Sequence, residues 1–301
     1  QLNMIPMVND LQKSRANDED ALHEKTLSKL DFKMFEPESG ECCVNHHSSS
    51  PAENQAEVLG KDNWKKNLNL QEDHSYNYYA VANAQADLSK KTLEELKIAT
   101  QQDKDIWLPY PQAKDKKFLM SAKEQYIISK DPIQDIPVEL VRAAAKIKLN
   151  LSSSVNDYNM TSVKWKFLNY NTNTSVFADQ TAKPNIESNN EDNTVDKIEA
   201  NKCSVTTYSY STTWTSQEDA PKIAVKVAFQ NKDNKNDTRE KELTIPVRDP
   251  KGEKKLERNY IYTVNADIKR LKDSINIDYN EELGYLKWVI TKWTPGEDTE
   301  V

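Results

Sequence analysis

Apolar and polar residues alternate along most of this chain, and the alternation changes phase once near the middle. From Ala143 onward the apolar residues fall on odd positions, Ala143, Ala145, Ile147, Leu149 and Leu151, with Lys146, Lys148 and Asn150 between them. That is the period-two signature of a half-buried strand. Just before it the phase is opposite: Val138 and Leu140 are apolar, Glu139 is polar, and the pattern flips at Leu140–Val141, with Arg142 beyond the flip. A shift of one residue turns every side chain to the other face, so one strand serving one core fits badly. A long strand that leaves one core and enters another accounts for the flip. Ile136 to Leu151 therefore reads as the seam between two domains, 1–140 and 141–301, with Leu140, Val141 and Arg142 at the junction.

Beyond the seam, alternation predicts strands at 162–169, 204–213, 222–230, 242–247, 260–268, 274–277 and 285–293. The stretch 170–202, rich in Asn, Asp, Thr and Ser without a period, predicts a long loop, and 231–239 a tight polar connection. Ahead of the seam, LNMIPMV at Leu2 to Val8 is apolar and broken by Pro6, which predicts an edge strand. A polar stretch with Arg15 in its middle follows, with the character of an exposed, protease-accessible loop or a frayed terminus. LSKLDFKMF (27–35) and HSYNYYAVANA (74–84) predict strands, the latter covered on both faces. Leu88 to Ala99 predicts a short amphipathic helix. Many short strands with polar turns and very little helix predict an all-β sandwich architecture.

Length and charge narrow the choice. A chain of 301 residues is long enough for two domains, each with a core. A net charge of −7 argues against a nucleic-acid partner, because a polyanion needs a basic surface. No apolar run reaches the roughly 18 residues that span a membrane. The chain begins at Gln1 without a basic leader or an apolar h-region, which leaves open whether an export signal was removed. Three cysteines, Cys42, Cys43 and Cys203, imply no disulfide framework.

No constellation predicts catalysis or a cofactor. There is no G-x-S-x-G, no H-E-x-x-H and no phosphate-cradling loop. Cys42, Cys43, His46 and His47 lie close together, but adjacent residues in a strand point apart, so they predict a strand end and not a metal site. Acidic residues are plentiful without a recognisable pair across a cleft. Trp64, Trp107, Trp165, Trp214, Trp288 and Trp293 are candidates for stacking on sugars, although core packing is the commoner fate of tryptophan in alternating strands.

The order of elements resembles the fimbrillin family of Bacteroidetes surface fimbriae, the type V pilins. The resemblance is carried by LSKLDFKMFEPESGE (27–41), YNYYAVANA (76–84) with a short helix after it, FLMSAKEQ (118–125), PVELVRAAAKIKLNL (137–151), SVTTYSYSTT (204–213), and LERNYIYTVNADI (256–268) leading to KWVITKW (287–293). It implies two tandem transthyretin-like Greek-key β-sandwich domains with one or two short helices, export as a lipoprotein precursor, and display on the outer membrane in a fimbrium. It also implies cleavage after an Arg in the loop behind the first strand, here Arg15 by position. Loss of that strand, carrying Leu2, Met4 and Val8, opens a groove that a strand of the next subunit fills. Other fimbrial subunits are then the partners, with host or bacterial surface ligands as further ones. The last residues, TPGEDTEV, are acidic and weakly apolar, so no strong donor strand is evident at that end. Two readings stand beside this one: a carbohydrate-binding adhesin module that does not polymerise, and a secreted hydrolase with two carboxylates.

Overall fold

The structure, a computed structural model, describes residues 2–8, 24, 26–49, 65–66, 70–109, 112–113, 117–131, 133–248, 253–271 and 283–292. In the first half the described strands are β1 (Leu2–Val8), β2 (Lys29–Phe35), β3 (Cys42–Ser49), β4 (Lys65–Lys66), β5 (Ser75–Ala82), β6 (Thr100–Gln102), β7 (Met120–Ile127) and β8 (Gln134–Arg142), together with the helix α1 (Leu93–Lys97). In the second half they are β9 (Ala144–Ser153), β10 (Tyr158–Leu168), β11 (Tyr170–Asn171), β12 (Asn173–Ser175), β13 (Ile186–Glu187), β14 (Asn193–Thr194), β15 (Lys202–Tyr210), β16 (Thr212–Thr213), β17 (Lys222–Asn231), β18 (Thr238–Pro246), β19 (Lys255–Leu256), β20 (Tyr260–Ile268) and β21 (Leu283–Lys292). The predicted strand at 274–277 lies outside the described residues.

The first half forms one sheet in the order β3-β2-β5-β7-β8-β1-β4. It is divided into two leaves, because β7 and β8 pair only where Met120 and Ser121 meet Arg142 and Val141. Beyond that corner the leaves separate, and the Tyr78 hydroxyl of β5 bridges them, donating to Glu124 Oε2 and to the Pro137 carbonyl, each at 3.3 Å. The second half builds a four-stranded sheet, β14-β10-β17-β18, and a six-stranded one, β13-β11-β15-β9-β20-β21. Alternation is clean here. β17 buries Ile223, Val225, Val227 and Phe229, and β20 buries Tyr262, Val264, Ala266 and Ile268, as strands with one dry face must.

Strand β2 is covered on both faces, its Asp31 and Lys33 as well as its apolar residues. His47 Nδ1 lies 2.8 Å from Asp31, and Lys33 Nζ donates to the Lys91 carbonyl at 2.6 Å. Burial pushes the Asp31 carboxyl up against the opposing pull of His47, and pushes the Lys33 ammonium down. The predicted helix over Leu88–Ala99 is confined to α1. Thr92 caps it in a capping box with Glu95, so the chain before Thr92 is turn.

The 170–202 stretch is not the loop that its composition predicts; it holds β11, β12, β13 and β14. Its order comes from polar side chains on backbone rather than from apolar alternation. Buried Asn171 donates to the carbonyls of Asn173 and Ser211 at 2.8 and 2.7 Å and accepts from the amides of Asn173 and Asn185 at 3.1 and 2.9 Å. Within it, β12 pairs with β6 of the first half. Arg258 holds the same segment, donating to the Ser175 carbonyl at 2.8 Å and Thr174 Oγ1 at 2.9 Å. Burial lowers that guanidinium to about 10. Phe177 then packs edge-on against Tyr79 at 5.3 Å. The buried apolar residues of both halves consequently form one continuous cluster.

The phase change of the seam falls at Ala143–Ala144, not at Leu140–Val141. Ile136, Val138, Leu140 and Arg142 are all buried on the even phase of β8, and Ala145, Ile147, Leu149 and Leu151 on the odd phase of β9. Ala143 is the interruption, its amide donating to the Leu119 carbonyl at 2.8 Å. Arg142 hides the true position of the flip, since a charged residue on a buried phase reads as polar in an apolar pattern.

Candidate functional site

Strand β1 runs parallel to β8, from Leu2 opposite Gln134 to Val8 opposite Leu140. On its other side β4 reaches only Leu2 and Asn3. From Met4 onward, among the described residues, that side carries no partner strand. The predicted edge position is thus half correct: among the described residues, β1 lies between two strands at its start and at an open edge for the rest.

The placement of the two prolines follows from this geometry. In a strand the N–H and C=O of one residue point the same way. The Pro137 carbonyl accepts from Tyr78 across the gap between the leaves, so Pro137 turns its polar groups away from β1. Alternation then has β8 pair through its even residues, and a parallel ladder has β1 answer with its odd ones. Pro6, opposite Val138, faces the side that β4 has already left. Neither proline removes a bond from the ladder, which is the condition for proline within a sheet.

Of the residues singled out by the sequence, Leu2, Met4 and Val8 lie within β1, opposite Gln134, Ile136 and Leu140. On β8, Ile136 and Val138 are fully buried and Leu140 nearly so. Arg15 lies outside the described residues. Of the residues predicted to form a junction, Leu140 is in the core, Val141 is half-buried opposite Ser121, and Arg142 is buried, its Nε donating to the Glu24 carbonyl at 2.7 Å. Glu24, Lys146 and Tyr208 complete that buried cluster and carried no local signal. Lys146 sits on the polar phase of its strand, and nothing near Glu24 in sequence predicts burial.

The tryptophans do not form a platform among the described residues. Trp165 and Trp214 are buried, and Trp107 packs edge-on against Trp165 at 6.0 Å. Trp288 belongs to β21, and Trp64 and Trp293 lie outside the described residues. Cys203 is half-buried and burial raises its thiol to about 11, while Cys42 and Cys43 are exposed.

No protein-family model and no curated protein sequence matches the chain. Solved structures do match it in fold. A fimbrillin (FimA) from Porphyromonas gingivalis superposes with a TM-score of 0.65 at 13% identity, covering 99% of each chain. A candidate cell adhesion protein from Parabacteroides distasonis gives 0.63 at 15% identity, over 97% of this chain and 96% of the other. The tip fimbrial protein Mfa3 of Porphyromonas gingivalis, truncated at its C-terminus, gives 0.58 at 14% identity over 91% and 97%. The chain has the all-β sandwich fold of the Bacteroidetes fimbrillins, the fold that its order of strands resembles.

Proposed function

We propose that this protein is a structural or accessory subunit of a cell-surface fimbria, joined to other subunits by exchange of its first strand, and that it has no catalytic role. The observation that carries the reading is the attachment of β1. Among the described residues it is held along its length by β8 and otherwise by β4 at Leu2 and Asn3 alone, and it is followed by the polar stretch bearing Arg15. Loss of β1 would uncover the edge of β8 and the buried row Ile136, Val138 and Leu140. An apolar edge of that kind does not stay open in water, and main-chain pairing with an incoming strand closes it. Solved structures with this fold that bear the names fimbrillin and tip fimbrial protein support the assignment.

The same reading divides the chain into domains at 1–140 and 141–301, places the protein on the cell surface at the outer membrane, and gives its precursor a lipid anchor. It has host or bacterial surface ligands as further partners. Limited trypsin digestion of the folded protein tests it. Cleavage after Arg15 is expected first, and a synthetic peptide of the β1 sequence, labelled and in excess, is expected to exchange into the cut protein. Resistance at Arg15 with cutting elsewhere, or cut protein that takes up no peptide, counts against the reading.

A further inference from the structure

Glu24 is fully buried, although the polar, charged sequence around it predicts an exposed position. Lys146 Nζ lies 3.1 Å from each of its carboxylate oxygens, and Oε1 also accepts from the Tyr208 hydroxyl. Its backbone carbonyl accepts from Arg142 Nε at 2.7 Å. All three partners are buried. Lys146 and Tyr208 face each other as a cross-strand pair of β9 and β15, and Phe118 packs edge-on against Tyr208 at 4.9 Å. Arg142 closes β8. Glu24 is therefore fastened to the seam by side chains from three strands of two sheets.

The chain just after it is fastened too. Asn83 accepts from the Ser28 amide at 2.9 Å and donates to the carbonyls of Thr26 and Phe118 at 2.8 and 2.9 Å. Asn83 holds a positive φ of 59°, a conformation that asparagine tolerates better than most residues. None of these groups belongs to β1. The amino-terminal part of the chain is thus attached in two independent ways: residues 2–8 by a backbone ladder to β8, and residues 24–28 by buried polar side chains around the seam.

The two attachments differ in how they fail. A ladder at an open edge can open from its end, one pair at a time, with water replacing each bond. A buried carboxylate cannot leave gradually, because withdrawing it breaks its pairing with Lys146 and its hydrogen bond from Tyr208 together in a dry site. We propose that the cluster of Glu24 with Arg142, Lys146 and Tyr208 is an anchor that sets the limit of the movable amino-terminal segment: β1 leaves the fold, and the chain from residue 24 onward does not. The use of the anchor rests on the strand-exchange reading above. With it, peeling started by removal of β1 stops before β2, whose loss would open the first sandwich. Glu24 is a positioning residue in this scheme and touches no incoming strand.

Hydrogen exchange of the full chain, followed by mass spectrometry, tests it. In the wild type, residues 2–8 are expected to exchange at least tenfold faster than residues 26–30. Glu24→Gln is expected to speed residues 26–30 tenfold or more and to leave 2–8 unchanged. Should Glu24→Gln fail to fold, Tyr208→Phe removes one hydroxyl and is expected to speed the same residues about threefold. Exchange of 2–8 and 26–30 at one common rate in the wild type, or 26–30 indifferent to both substitutions, would overturn the anchor. Repeating the measurement after cutting at Arg15 separates the two ideas. Protection kept at 26–30 with β1 never displaced by excess peptide defeats strand exchange and leaves the anchor standing. Protection lost at 26–30 on release of β1 defeats the anchor and leaves strand exchange standing.

Discussion

Among the described residues there are two parallel ladders, and they differ in what lies on the far side. In the second half β20 runs parallel to β9 from Ile261 opposite Lys146 to Ile268 opposite Ser153. Its other side is paired with β21 from Tyr260 to Ile268. In the first half β1 runs parallel to β8, and among the described residues its other side is paired only at Leu2 and Asn3. Both ladders sit beside buried rows of aliphatic side chains, Val264 and Leu149 in one and Val138 and Leu140 in the other. Burial alone therefore does not distinguish the two strands. The number of sides on which the backbone is satisfied does, since a strand paired on both sides can leave only by breaking two ladders at once.

The comparison breaks if disruption of β20 is tolerated. Val264→Pro removes a ladder donor in a central strand and forces a rigid ring into a fully buried position. A loss on the order of 4 kcal/mol or more is expected, a large share of a domain's stability, with collapse of the second half visible by circular dichroism. A smaller and more local effect is expected from Leu140→Ala, which truncates the buried residue opposite Val8. It should lower stability by about 3 kcal/mol and speed hydrogen exchange at residues 2–8 before other strands. Equal acceleration in β20 would show that the ladders are not independent.

The smallest effect is expected at the contact between the halves. Lys123 of β7 donates to Asp179 at 2.5 Å, and that bond holds the Asp179 carboxyl below its usual range. A lowered folded-state value means the stabilisation is present above the unfolded carboxylate's pKa of about 4 and is lost as pH falls through the folded value. Both groups are well exposed, so the contribution is less than about 1 kcal/mol. Asp179→Asn should shift the urea midpoint at pH 6 slightly and flatten its dependence below pH 4, leaving both ladders unchanged.

The second half was largely legible in the sequence because its strands bury one face each. Lys222–Asn231 and Tyr260–Ile268 alternate almost without exception, and alternation is what a reader of sequence detects. The phase change was legible as an anomaly and misplaced by a few residues, because Arg142 is a charge on a buried phase. The short strands within 170–202 were illegible, since Asn171 and Arg258 order them through backbone carbonyls and leave no apolar period. At the candidate site, Pro6 pointed to an open edge, while the parallel register with β8 depends on contacts more than 100 residues apart. Glu24 was hidden for the same reason: Arg142, Lys146 and Tyr208, which hold it, are equally remote in sequence.

Strand β8 passes through a single interrupting residue, Ala143, into β9, which carries the second parallel ladder. A pull along β1, or along any strand in its place, acts in the direction of the ladder and loads its bonds together in shear rather than one after another. From β8 the tension has a covalent path into β9 and a lateral one into β20. The bend at Ala143 changes which face is buried, and subunits joined in the proposed way would pass tensile load along this backbone path.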